Sequence, residues 1–192
     1  MSYFSELVLS KKIQFLMKIY KSWLRKGSRV LDVGCGDGIV TDELARYFSL
    51  TVVGCDIDKY LDRDIAYVHM KNKNKLPFKP NSFDTALFTD VLHHTSKDIQ
   101  EDLVVEAIRV AREKVIIFEL KPTIGNHLLD CVVNKIYHPT METPRTFRDI
   151  EDWKKLFRKF PVRIEAIDLP LSFPSPFSHY VFYLTKVSST KE

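Results

Sequence analysis

The run "VLDVGCGDG", Val30 to Gly38, limits the fold more than any other part of this 192-residue chain. Three of the chain's 6 glycines fall there at alternating positions, Gly34, Gly36 and Gly38, directly after an apolar stretch. That order reads as a buried strand, a turn of bare backbone and the start of a helix. Glycine lets the turn adopt positive φ and lets a ligand approach where a β-carbon would stand. The helix start adds unpaired N–H groups and partial positive charge. Two carboxylates accompany the glycines. Asp56 closes the next strand about 20 residues on, where an acid can accept hydrogen bonds from both ribose hydroxyls. Asp32 lies inside the first strand, where its charge is costly without a cationic or hydrogen-bonding partner. A dinucleotide's pyrophosphate would be repelled by it, whereas a ligand bearing an ammonium group would be attracted.

The remaining pattern alternates apolar strands with helices. Leu9, Ile13, Leu16, Tyr20 and Leu24 recur at helical spacing. Arg29–Val33, "LTVVGCDID", "IAYVHM", "FDTALFTDV" and "KVIIFEL" read as strands. Helices are expected from Asp37 or Gly38 to Phe48, from Lys97 to Ala111, and through "RTFRDIEDWKKLFRKF" with Phe147, Ile150, Trp153 and Phe160 on its apolar face. The alternation predicts an α/β fold, a doubly wound and mostly parallel sheet covered on both faces. "VRIEAIDL" and "YVFYLTKV" have no helix between them, so they should pair antiparallel. The chain divides into an N-terminal amphipathic helix over residues 1–26, a single domain over 27–187 and a short tail, 188–192.

Charge and composition exclude several classes. No apolar run approaches the roughly 18 residues of a membrane span, and Lys11, Lys12, Lys18 and Lys21 interrupt any signal-peptide core. The 3 cysteines form no CxxC pair, so reduced thiols and a cytoplasmic location are expected, without structural zinc. Net charge is +4, and residues 11–26 carry a basic face that either packs as a solvated helix surface or meets nucleic acid.

Taken together, "LDVGCGDG", "VVGCDID" and "LPFKPNSFDTALFTDVLHH" resemble the class I S-adenosylmethionine-dependent methyltransferases. Asp32, Gly34, Gly36 and Gly38 match that family's D-x-G-x-G-x-G motif in full, and the similarity extends over roughly Arg25 to Val187. The "LPF…SFD…LHH" run is similar to the small-molecule and lipid branch grouped with ubiquinone-biosynthesis enzymes. The resemblance implies a seven-stranded sheet with one antiparallel strand, S-adenosylmethionine as cofactor and S-adenosylhomocysteine as product. It places Asp32, Gly34, Cys35, Gly36 and Gly38 along the methionine part, Asp56 on the ribose and Ile57 on the adenine face. Asn72, Lys73 and Leu76 fall at the adenine end, and Thr89 and Asp90 close the fourth strand. The family usually carries an acid where this chain has Asn72, whose side chain accepts hydrogen bonds without charge.

Methyl transfer from a sulfonium needs alignment of nucleophile, carbon and sulfur, and no metal. A base, where the acceptor requires one, is expected in His93 or His94, with Asp90 and Glu119 as further candidates. The acceptor pocket is expected in 121–144, where Tyr137, His138 and Met141 are available, and the N-terminal helix could serve as a lid. The resulting expectation is a methyltransferase acting on O, N or C of a small or lipid-like molecule. Three other readings stand beside it. One is an RNA methyltransferase using the basic N-terminal face, and another is a non-catalytic partner that keeps the cofactor pocket. The third, a nicotinamide dehydrogenase, has Ile39 where G-x-G-x-x-G requires glycine.

Overall fold

The computed structural model describes residues 3–137, 145–171 and 177–187. Its elements run in chain order as α1 (Tyr3–Tyr20), β1 (Arg29–Val33), α2 (Ile39–Phe48), β2 (Thr51–Asp56), β3 (Ala66–His69) and β4 (Phe83–Thr89). After these come α3 (Lys97–Val110), β5 (Ala111–Leu120), α4 (Ile124–Tyr137), α5 (Ile150–Phe157), β6 (Val162–Leu169) and β7 (His179–Lys186). The strands form one sheet in the order β3-β2-β1-β4-β5-β7-β6. β1 pairs in parallel with both β2 and β4, and β4 with β5. β7 enters between β5 and β6, antiparallel to each. The expected sheet, with its single antiparallel strand, is the one observed.

Both faces of the sheet are covered, which is why its central strands read as unbroken apolar runs. On one face Leu31, Phe88, Ile117 and Phe182 pack with Leu103, Val104 and Ala107 of α3 and Trp153 and Phe157 of α5. On the other, Val30, Leu87, Ile116 and Tyr183 pack with Leu16 and Tyr20 of α1 and Leu44 of α2. Successive residues of β1 alternate between these faces, so Asp32 falls on the side of Val30, beneath α1 and α2.

Three local expectations change. β5 begins at Ala111, three residues before "KVIIFEL", because α3 passes into the strand with no intervening loop. α5 begins only at Ile150: the Asp149 side chain accepts from the Asp152 N–H at 2.8 Å and caps the helix there. Phe147 therefore lies outside the helix, and Phe160 lies beyond its end. α4 also turns an unexpected face inward. Asn126 and Asp130 are buried, whereas Leu128 is 65% exposed and Val132 56%. Asn126 reaches the Lys121 carbonyl at 3.0 Å and the Ser178 carbonyl at 2.8 Å, and this bonding orients the helix in place of apolar contact.

Tyr137 closes α4, while His138, Met141 and the 188–192 tail lie outside the described residues. No helix among the described residues is long and apolar enough to cross a membrane.

Candidate active site

The order of the strands reverses at β1, whose neighbours are β2 on one side and β4 on the other, and a crevice at such a switch point is where ligands bind in this architecture. The loop after β1 borders it. Gly34, Gly36 and Gly38 all have positive φ, at 73°, 56° and 79°. Backbone bonds hold the turn: Gly34 N–H donates to the Cys55 carbonyl at 2.8 Å, and Gly38 N–H to the Cys35 carbonyl at 3.0 Å.

The glycines have different tasks. A β-carbon on Gly34 would stand 2.1 Å from Cγ2 of Val91, so this position is bare to admit the β4 loop. On Gly36 a β-carbon would meet nothing within 4 Å, and here the backbone borders open space. Gly54 makes room for Cys35, whose thiol a β-carbon there would meet at 2.6 Å. The Cys35 side chain is thus turned into the sheet and buried, leaving only its backbone for the crevice.

Asp32 and Asp56 flank this turn. One oxygen of Asp32 accepts from the Thr41 hydroxyl at 2.5 Å, and the other is buried without a partner among the described residues. Burial raises its pKa to about 6; the Asp56 charge adds to this, while the Thr41 bond and the Lys12 charge oppose it. Asp56 accepts from Gly36 N–H at 2.9 Å and Ile57 N–H at 2.7 Å, ties that join the end of β2 to the glycine turn. Burial raises its pKa too, against the pull of these N–H groups.

The adenine-end candidates are less well placed. Asn72 and Lys73 are exposed in a turn after β3, where Asn72 bridges to Lys75. Leu76 is only 1% exposed and packs in the core, with its N–H donating to Glu106, and it borders a cavity with Phe78, Glu106 and Arg109.

Beyond β4, Thr89 lies 3.5 Å from the Tyr20 hydroxyl, and Asp90 adopts φ 55°. Lys12 of α1 reaches Asp90 Oδ2 at 2.8 Å, and His179 Nε2 lies 3.3 Å from Oδ1. Burial opposes the charge of Asp90, but Lys12 first and then the His179 imidazole hold its carboxyl well below the ordinary range.

His93 and His94 form a short 3-10 turn (Leu92–His94), and the two rings differ sharply. His93 is 2% exposed; its Nδ1 meets Glu119 Oε2 at 2.6 Å and its Nε2 stands 3.5 Å from Asp130 Oδ1. Burial opposes its charge, yet the Glu119 and Asp130 carboxylates push its pKa up to about 10. A histidine that keeps its proton at neutral pH is no general base, which corrects the expectation for His93. Glu119 likewise is engaged by Val91 N–H at 2.9 Å and Leu92 N–H at 2.6 Å. His94 is half-buried, and burial and the His93 charge push it down to about 4, so it stays neutral.

Sequence reasoning missed Lys12, Asp130, Arg145, Phe147 and His179 at this corner. Phe147 stacks 5.1 Å from the His93 ring, and Arg145 Nε donates to Asp130 Oδ2 at 3.1 Å. The one usable signal was Asp130 itself, an acid within the apolar run "HLLDCVV".

Residues 31–118 match the family described as methyltransferase domain. That match runs from β1 into β5, and solved S-adenosylmethionine-dependent methyltransferases share the fold. An S-adenosylmethionine-dependent methyltransferase from Archaeoglobus fulgidus shares the fold at 15% identity and TM-score 0.69, over 96% of this chain and 100% of that one. Magnesium protoporphyrin IX methyltransferase from Synechocystis, solved with bound S-adenosylhomocysteine, is 17% identical with TM-score 0.68, over 97% and 89%. A methyltransferase from Haloferax volcanii, solved in complex with the Trm112 activator, is 15% identical with TM-score 0.64, over 88% and 86%. No curated protein matches the chain.

The Archaeoglobus neighbour depends on S-adenosylmethionine. The crevice suits that molecule. The open side of Gly36 leaves space for ligand against the backbone.

Proposed function

We propose that the methyltransferase holds S-adenosylmethionine along the β1–α2 turn and passes its methyl group to an O, N or C nucleophile of a small or lipid-like molecule. The observation that carries the cofactor pose is the buried, unpartnered Asp32 oxygen beside the bare Gly36 backbone. In this reading Asp32 attracts the ammonium group, Asp56 accepts from the ribose and Ile57 meets the adenine. The bound cofactor supplies a methyl group already activated on a sulfonium. The protein's part is alignment, which lowers a barrier by roughly 7–11 kcal/mol in favourable cases.

The acceptor is assigned to the corner formed by Asp90, His94 and α4. Of the two histidines only His94 is held neutral, by burial and by the His93 charge. Use of the basic face for RNA is less favoured, since Lys12 is already paired with Asp90.

Calorimetric titration with S-adenosylmethionine and S-adenosylhomocysteine tests the pose, and mass detection of methylated products tests the acceptor class. Binding of both ligands, weakened at least tenfold by Asp56→Ala, is expected. Unchanged affinity in that variant would remove the ribose assignment. Methylation of polar acceptors alone would remove the lipid-like one.

A further inference from the structure

The 3-10 turn after β4 and the buried face of α4 meet in a cluster that sulfonium chemistry does not require. His93, His94 and Asp130 each present one ligand atom, and those atoms all lie within 4.8 Å of one another. We propose that these three residues bind a divalent transition ion of the zinc type, through two imidazole nitrogens and one carboxylate oxygen.

Spacing is the first argument. Ligand atoms about 2.0–2.1 Å from a tetrahedral zinc ion stand roughly 3.4 Å apart. His93 Nε2 and Asp130 Oδ1 are 3.5 Å apart, and Nε2 has no hydrogen-bond partner among the described residues although it is buried. A buried polar nitrogen in that condition is costly, and an ion held between it and the Asp130 carboxylate would satisfy it.

Support behind the ligands is the second. Metal-binding histidines generally donate their other ring N–H to a carboxylate, which sets the tautomer and the ring direction. Glu119 stands in that place, 2.6 Å from His93 Nδ1, and is itself held by the N–H groups of Val91 and Leu92. Arg145 holds the second oxygen of Asp130 from outside the cluster. Phe147 covers the His93 ring and supplies an apolar wall.

Charge and access complete the case. Two carboxylates, Glu119 and Asp130, converge on one imidazole, so the spot favours positive charge; a divalent ion would take the place of the Nε2 proton. His93 and Asp130 are buried, whereas His94 is of intermediate exposure. The fourth position therefore opens on the side of His94. Two imidazoles and a carboxylate suit zinc or iron(II) rather than magnesium or calcium. Where the acceptor assignment above holds, an oxygen or nitrogen of the acceptor would fill that position and lose its proton more readily.

The test is titration of chelator-treated full-length protein with cobalt(II), read by visible absorption, and with zinc(II), read by calorimetry. One ion per chain at micromolar affinity or tighter is expected, with cobalt bands of four-coordinate intensity. His94→Gln, at a half-exposed position, and Asp130→Asn should each weaken binding at least tenfold while their melting curves stay cooperative. Cys131→Ser, which removes the exposed thiol next in sequence, should bind as the parent does. Absence of saturable uptake would overturn the site, as would uptake indifferent to both substitutions or abolished by Cys131→Ser. S-adenosylmethionine affinity measured on the same samples reports the cofactor pose separately, so failure of one assignment does not masquerade as failure of the other.

Discussion

Replacing Gly34 and Gly36 singly by alanine separates two reasons for a bare backbone. Both residues have positive φ, which costs a β-carbon about 1–2 kcal/mol. For Gly36→Ala that is the whole expected loss, because the new methyl meets nothing within 4 Å. For Gly34→Ala the methyl would lie 2.1 Å from Val91 Cγ2 and 2.8 Å from its Cβ. Valine is stiff at χ1, so relief requires the β4 loop itself to move, at a further 1–3 kcal/mol or so. In a domain of this size each 1 kcal/mol shifts Tm by roughly 2–4 °C. Thermal melting without ligand should therefore place Gly34→Ala about 2–12 °C below Gly36→Ala. Calorimetry should show the reverse order for the cofactor: Gly36→Ala, whose methyl enters the crevice, should lose S-adenosylmethionine affinity at least tenfold. Equal melting temperatures would refute the packing role of Gly34, and full affinity in Gly36→Ala would refute the pose.

Other outcomes follow from the same geometry. Asp32 has a folded pKa of about 6, above its ordinary value, so it ionises as pH rises through 6. Affinity for the cationic cofactor should climb between about pH 5 and 7 and then level, and Asp32→Asn should flatten the profile. The sign reverses for the ligand-free protein: Asp32 binds its proton more tightly when folded, so its contribution to stability is full below its ordinary value of 3.8 and is lost as pH rises from there through 6. Asp56→Ala also removes the acceptor of the Gly36 and Ile57 N–H groups, so lower Tm should accompany its weaker binding. His93→Ala would leave Glu119 and Asp130 facing one another without the imidazolium, at a cost of about 3–5 kcal/mol. A fall in Tm of less than a few degrees would show that the charge on His93 is not what holds this corner.

Much of the architecture was legible because its signals are local. Apolar runs of strand length, glycines in a strand-to-helix turn and helical spacing in Leu103, Val104 and Ala107 each depend only on near neighbours in the chain. Asp149 illustrates the limit. Its cap on Asp152 starts α5 three residues after Phe147, although Phe147 continues the helical apolar spacing. α4 shows a larger limit, since it buries Asn126 and Asp130 and leaves Leu128 and Val132 exposed, the reverse of what their polarity favours. That choice was made by the Ser178 and Lys121 carbonyls and by His93, which lie far from α4 in sequence or on another element.

By itself the sequence determined that a parallel sheet would form, that its first turn would lack side chains, and that acids would flank it. It could do so because strand periodicity and glycine's freedom are properties of a few consecutive residues. Only the tertiary structure decided that Gly34 admits Val91 while Gly36 borders open space, and that of two adjacent histidines one is clamped as a cation and the other is neutral. Those outcomes depend on Val91, Glu119 and Asp130, and their approach is set by how strands and helices distant in sequence pack across the sheet.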